Sequence, residues 1–110
     1  MTTVLIVDDD PDVRMLIRIA LEMADTGLTI VGEATDGAEG LQMWRDLNGP
    51  PDPEVIVLDN HMPGMTGLEV AAQILGERPS QIIVMCTSFL HPGIQTAAAE
   101  IGIARCLPKC

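Results

Sequence analysis

Residues 55–67 read Val-Ile-Val-Leu-Asp-Asn-His-Met-Pro-Gly-Met-Thr-Gly, an apolar run that ends in an acid and continues into proline and glycine. This pattern is typical of a buried strand that releases one carboxylate, that of Asp59, into a loop at its C-terminal end. The N-terminus repeats it, because the apolar residues 4–7 lead directly into Asp8, Asp9 and Asp10. Two strands are therefore predicted to deliver acids to one edge of a sheet.

The composition indicates one small acidic domain. The chain has 110 residues and a formal net charge of −10, from 16 acidic and 6 basic side chains. This charge repels nucleic acid and anionic membranes, so direct DNA binding by the domain is not expected. No apolar run reaches the roughly 18 residues that a membrane-spanning helix needs, and the N-terminus lacks a signal-peptide pattern. The sequence thus predicts a cytoplasmic domain, with reduced thiols at Cys86, Cys106 and Cys110.

Strand and helix patterns alternate along the chain. Strands are predicted at residues 4–8, 28–34, 54–59, 81–86 and 103–107, with helices between them. The second helix is predicted to stop at residues 48–51, the third at Gly76 and Pro79, and the fourth to run from near Pro92 to Gly102. The first three helices begin at capping signals, which are Asp10-Pro11, Asp36 with Glu39, and Thr66 with Glu69. This alternation predicts an α/β domain with a parallel sheet.

In open parallel sheets, sites form beyond the C-terminal ends of the strands. The polar residues predicted at those ends are Asp8 and Asp9, Asp59, Thr87, and the only lysine, Lys109. Neighbouring carboxylates repel by about 4 kcal/mol per pair at an effective dielectric constant near 20, so a positive group is expected between them. Mg²⁺ suits such a place, because it binds one or two carboxylates and keeps waters or phosphate oxygens. Acids, a divalent cation, a hydroxyl and a lysine together match the needs of phosphoryl transfer.

Together these residues give the chain a specific resemblance. It resembles a response-regulator receiver domain, the phospho-acceptor of two-component signalling, over its whole length. The matching positions are Val7-Asp8-Asp9, Asp59 with Met62-Pro63 and Gly67, Thr87, and Lys109. The resemblance implies a flavodoxin-like, doubly wound parallel sheet of five strands in the order 2-1-3-4-5.

The resemblance also implies a role for each matching residue. Asp59 would take a phosphoryl group from a sensor histidine kinase, a phosphotransfer protein or a small phosphodonor. Mg²⁺ would be held by Asp8, largely through water, by Asp9, by Asp59 and by the backbone carbonyl of His61. Lys109 would pair with the phosphoryl oxygens, and Thr87 would move to bond one of them, which is the switch. Such a domain catalyses only its own phosphorylation and dephosphorylation, and it controls a partner or a C-terminal output domain outside this chain.

The sequence departs from the family at three places, one of which is Cys110, where receivers usually carry a proline after the lysine. Cys106 stands where receivers usually carry an aromatic residue on the fifth strand. The chain also ends one residue after Lys109, so residues 1–110 are predicted to form a receiver domain that lacks the fifth helix. That helix shares a face of the sheet with the first, so apolar surface is expected to be uncovered. Truncation and self-association as a homodimer are both open explanations.

Other interpretations of the same residues are open. The acids at residues 8–10 can simply cap a helix, Thr87 and Lys109 can be surface groups, and Ser88 is an alternative to Thr87. Gly64 and Gly67 are predicted to permit the turn after Asp59. The alternative function is a phosphorylation-independent interaction module of the same fold, a pseudo-receiver. A haloacid-dehalogenase-type phosphohydrolase is disfavoured because His61 stands where those enzymes carry a second acid, and a flavodoxin-like redox protein because no hydroxyl-rich loop follows the first strand.

Overall fold

The computed structural model describes residues 2–23, 27–47, 53–87 and 92–108. Strands and helices alternate through these residues, as predicted. The elements are β1 (Thr2–Val7), α1 (Pro11–Met23), β2 (Leu28–Ala34), α2 (Gly37–Asp46), β3 (Val55–Leu58), α3 (Gly67–Glu77), β4 (Ile82–Thr87), α4 (Pro92–Ile101) and β5 (Arg105–Pro108). No helix within the described ranges is long and apolar enough to cross a membrane.

The five strands form one parallel sheet in the order β2-β1-β3-β4-β5, which confirms the predicted topology. β1 begins at Thr2, two residues earlier than predicted, because Thr2 pairs with Leu28 of β2. In the centre of the sheet, Val7 at the end of β1 pairs with Leu58 at the end of β3. The residues that follow these two strands therefore leave the sheet at the same level.

The predicted capping signals form hydrogen bonds at the helix starts. Asp10 Oδ1 accepts from the Asp12 N–H at 2.9 Å, Asp36 caps α2 through the Glu39 N–H, and Thr66 and Glu69 form a capping box on α3.

The third helix ends between the two residues predicted to stop it, since α3 continues through Gly76 to Glu77 and stops before Pro79. Glycine inside an exposed helix costs only about 1 kcal/mol relative to alanine, so it does not end a helix by itself. The helix ends at Arg78, whose backbone is extended. Arg78 precedes Pro79, and the proline ring disfavours the helical conformation in the residue before it. The predicted stop of the second helix at residues 48–51 falls outside the described residues.

The main core lies on one side of the sheet. Helices α2, α3 and α4 form a layer there, in which α3 contacts both of the others. They pack on alternate strand residues that are almost fully buried: Leu5, Val7, Ile56, Leu58, Ile83 and Met85. Alternation places the intervening strand residues on the opposite face, with α1.

The opposite face is covered much less. Helix α1 has no buried residue, and it contacts the sheet mainly at β2. We call the exposed large apolar residues of this side the α1 face; they are Met15, Leu16, Ile19 and Met23 of α1, with Ile82 of β4 and Leu107 of β5. The uncovered apolar surface that was predicted from the sequence is therefore present in the described part of the chain.

A buried polar contact joins the elements at the amino edge of the sheet. The indole Nε1–H of Trp44 in α2 donates to Gln81 Oε1 at 3.0 Å. The amide nitrogen of Gln81 in turn donates to the carbonyl oxygens of Pro53 and Glu54, each at 3.1 Å. Gln81 therefore connects α2 with the residues that precede β3 and β4.

Candidate metal centre

Three carboxylates meet at the carboxyl edge of the sheet. Asp8, Asp9 and Asp59 each place an oxygen within 4.8 Å of the others. Asp8 and Asp59 are each only 2% exposed, and Asp9 lies at the surface. The backbone ladder continues into both loops, since the Asp59 N–H donates to Val7 O at 3.0 Å and the Asp8 N–H to Ala34 O at 3.1 Å. The sheet register thus places these acids side by side.

The donor atoms of this cluster suit a hard divalent cation. Buried carboxylates strongly favour a compensating positive charge, since their repulsion is poorly screened away from water. Mg²⁺ prefers oxygen ligands and keeps part of its water shell. Two buried carboxylates supply charge, and the exposed Asp9 leaves the cluster open to solvent on one side. The cluster therefore fits a partly hydrated Mg²⁺ ion.

The loop after Asp59 is held by backbone contacts that the sequence did not reveal. The His61 N–H donates to Asp59 Oδ1 at 3.3 Å. Asn60, which is buried, accepts twice from the start of α3: its carbonyl from the Gly67 N–H at 3.0 Å and its side chain from the Leu68 N–H at 3.2 Å. Asparagine commonly bonds backbone groups in turns, so its place after the acid was an available signal.

The two glycines of this loop have different roles. Gly64 has φ +82°, a backbone conformation that glycine adopts readily, so it permits the turn as predicted. Gly67 lies in the first turn of α3 instead, and a Cβ atom there would overlap the carbonyl oxygen of Asp59 and lie 2.9 Å from the Asn60 Cα. Gly67 is therefore required for the close approach of α3 to the acidic residue.

The loop after β1 is braced by a second set of contacts. Asp8 Oδ1 accepts from the Asp10 N–H at 2.9 Å, and Arg14 Nη1 donates to the Asp8 carbonyl oxygen at 2.6 Å. Arg14 Nε also lies 3.7 Å from a carboxylate oxygen of Glu33 in β2. Arg18, one turn further along α1, forms a two-point contact with the same carboxylate at 2.9 and 3.0 Å. Sequence reasoning assigned no role to Arg14 or Glu33.

Among the remaining predicted site residues, Thr87 and His61 lie within the described part of the chain. Thr87 is the last residue of β4 and is fully buried. Since β4 lies beside β3, Thr87 belongs to the same edge as Asp59. The His61 side chain is exposed. Lys109 falls outside the described residues, as do Ser88 and Cys110.

Cys106 lies on β5 opposite Met85 of β4 and packs against the core. Burial raises the pKa of its thiol, so the side chain stays uncharged near neutral pH. The side chain at this position of β5 is thus a small neutral thiol.

Comparison with known proteins places this geometry in context. The family model of the response regulator receiver domain matches residues 4–110. A protein-glutamate methylesterase/protein-glutamine glutaminase of Agrobacterium fabrum is 40% identical over 108 residues, covering 96% of this chain. The transcriptional regulatory protein LiaR of Bacillus subtilis is 39% identical over 109 residues, covering 99%. This chain spans only 29% of the length of the first and 49% of the second.

A solved structure shows the same fold. The response regulator protein TrrA of Thermotoga maritima, crystallised in complex with Mg²⁺-BeF, superimposes with a TM-score of 0.83 at 28% identity. The match covers 100% of this chain and 88% of that protein. The likeness in fold agrees with the sheet order of the described residues.

Proposed function

Because this chain belongs to the response-regulator receiver domains, we propose that Asp59 is its phospho-acceptor. A carboxylate oxygen of Asp59 attacks phosphorus, the bond from phosphorus to the donor breaks, and the donor leaves with that electron pair. The product is an acyl phosphate on Asp59. The observation that carries this proposal is the cluster of Asp8, Asp9 and Asp59 at the end of the two central strands.

We infer that Mg²⁺ is held by Asp8, Asp9, Asp59 and the backbone carbonyl of His61. A bound Mg²⁺ offsets the negative charge that builds up between the carboxylates and the incoming phosphoryl oxygens. Asp8 already accepts a hydrogen bond from the Asp10 N–H through one oxygen, which agrees with a contact to the ion through water. The His61 N–H donates to Asp59 Oδ1, which supports an oriented carboxylate at this position.

Thr87 and Lys109 complete the proposed machinery. The hydroxyl of Thr87 would donate to a phosphoryl oxygen, and its place at the end of β4 supports this role. Lys109 follows Pro108, which pairs with Thr87 in the sheet, and its assignment rests on the sequence. A phosphoryl group adds charge and strong acceptor oxygens at Asp59, which favours movement of Thr87 toward it.

Phosphorylation by acetyl phosphate in the presence of Mg²⁺ tests this function. Intact mass should show the gain of one phosphoryl group in the wild type and none in Asp59→Asn. Asp12→Asn is a matched control, because Asp12 is an exposed acid of the first turn of α1 outside the cluster. Beryllofluoride with Mg²⁺ should shift the amide resonances of residues around Asp59. A wild type that responds to neither reagent would contradict the proposal and favour the pseudo-receiver.

We infer that this domain catalyses only its own phosphorylation and dephosphorylation. The relatives are longer and include a methylesterase and a transcriptional regulator, so any further activity is assigned to an output domain outside this chain. A sensor histidine kinase or a phosphotransfer protein is the proposed phosphodonor. The net charge of −10 supports the absence of direct nucleic-acid binding by this domain. The cytoplasmic location stays a prediction.

A further inference from the structure

Arg14 is a cation placed against the backbone of the acidic cluster. Its Nη1 donates to the Asp8 carbonyl oxygen at 2.6 Å, and its Nε lies 3.7 Å from the Glu33 carboxylate. The Arg14 side chain is 15% exposed, compared with 45% for Arg18, which shares the Glu33 partner. Arg14 therefore links three elements, namely the loop after β1, helix α1 and the edge strand β2.

Two opposite effects on metal binding follow from this position. As a positive charge near the cluster, Arg14 repels a divalent cation and lowers its affinity. As a donor to the Asp8 carbonyl, Arg14 holds the backbone of the loop that carries the carboxylates of Asp8 and Asp9. Charge-assisted hydrogen bonds are short and directional, and a guanidinium can satisfy two partners in fixed geometry.

The contacts around Asp8 indicate which effect dominates. Glu33 lies beside the guanidinium of Arg14 and offsets part of its charge, although the same carboxylate also pairs with Arg18. The contact with Asp8 is made to the main chain and leaves the carboxylate turned toward the Asp10 N–H. Bringing Asp8 and Asp9 to Asp59 gathers three negative groups, and a loop without a brace can relax away from that repulsion.

We propose that Arg14 is a positioning residue of the Mg²⁺ site, which holds the loop after β1 so that Asp8 and Asp9 face Asp59. This rests on the proposed metal site and adds a residue that does not touch the metal or the phosphoryl group. Glu33 orients Arg14 from the opposite side. Removing the guanidinium should therefore weaken Mg²⁺ binding, although a cation has been removed.

The test is a Mg²⁺ titration of the 110-residue chain by amide NMR or calorimetry, on the wild type, Arg14→Met, Arg14→Lys and Arg18→Met. Arg14→Met is expected to raise the Mg²⁺ Kd by roughly three- to tenfold, less than the full strength of one charge-assisted hydrogen bond, because the charge that repels the ion is removed with it. Arg14→Lys keeps the charge and should lie between Arg14→Met and the wild type. Arg18→Met, which removes an arginine from the same Glu33, should bind Mg²⁺ like the wild type. Urea unfolding of each variant separates a local effect on the site from a general loss of stability.

Several results would overturn the inference. Tighter Mg²⁺ binding by Arg14→Met would show that its charge dominates, and unchanged binding would show that it has no part in the site. An equal loss in Arg18→Met would assign the effect to the ion pairs of Glu33. If Arg14→Met does not fold, a wild-type Kd in Arg14→Lys is the refuting result. A wild type without Mg²⁺ binding refutes the proposed function as well, whereas normal binding by the wild type and by both Arg14 variants refutes only the role of Arg14.

Discussion

Replacing Gly67 by alanine should destabilise the protein because the site leaves no room for one methyl group. A Cβ at this position would overlap the Asp59 carbonyl oxygen and lie 2.9 Å from the Asn60 Cα. Both neighbours are backbone atoms, so no side chain can rotate away. Helix α3 must shift instead, which strains its hydrogen bonds to Asn60 at 3.0 and 3.2 Å.

The size of the effect can be worked from these contacts. Overpacking a rigid site costs about 1–3 kcal/mol, and each weakened hydrogen bond adds about 0.5–1.5 kcal/mol. The expected loss for Gly67→Ala is therefore roughly 2–6 kcal/mol in the free energy of unfolding. The Mg²⁺ Kd should rise as well, because the shift begins at the carbonyl of Asp59.

Urea unfolding monitored by far-UV circular dichroism measures this loss, and Gly76→Ala is the matched control. Gly76 lies on the same helix, and a Cβ atom added there would meet nothing within 4 Å beyond the backbone of its own helix. Alanine there should stabilise the protein by up to about 1 kcal/mol, through helix propensity. Equal stability of Gly67→Ala and the wild type would refute the steric argument, as would equal effects of the two substitutions.

Three further predictions concern other parts of the molecule. Trp44→Phe removes the indole donor and leaves a buried oxygen of Gln81 without it, so urea unfolding should show a loss of about 1–3 kcal/mol. The hydrogen bond from Arg45 lowers the pKa of Glu77, so the stability that this pair adds should be present at neutral pH and lost as the pH falls through that lowered pKa. Glu77→Gln should therefore differ from the wild type in the free energy of unfolding only above that pKa. High salt should shrink this difference. The α1 face predicts self-association of the 110-residue chain, reduced by Leu16→Glu in size-exclusion chromatography with light scattering; a well-folded monomeric wild type would contradict it.

The sequence was sufficient to predict the fold and the meeting of the acidic residues at one edge of the sheet. Apolar runs that end in carboxylates predicted the strands and the edge where they meet, since parallel strands joined by helices expose their carboxyl ends together. The capping signals of Asp36 and Thr66 worked because a cap depends on residues only a few positions away. Local signals of this kind can be interpreted from the sequence without knowledge of the tertiary structure.

Contacts between distant segments were not predictable in the same way. The bond from Trp44 to Gln81 joins residues 37 positions apart, and it depends on how α2 and α3 pack on the sheet. Arg14 contacts the backbone oxygen of Asp8, and a contact to the backbone does not depend on the partner's side chain, so the sequence carries no signal for it. The sequence predicts only a turn residue at Gly67, because its steric requirement appears only when α3 lies against the acidic loop.

Helix α1 is weakly anchored, yet it carries the side chain that contacts the backbone of the acidic loop. Segments that bury few apolar side chains open locally at a low free-energy cost. Amide hydrogens of α1 are therefore expected to exchange with solvent before those of α3, which buries Val70, Ala71 and Ile74. Opening of α1 also withdraws Arg14 from Asp8, so the order of this helix and the occupancy of the acidic site become thermodynamically linked. Amide exchange in α1 should then become slower when a cation binds at the acidic site.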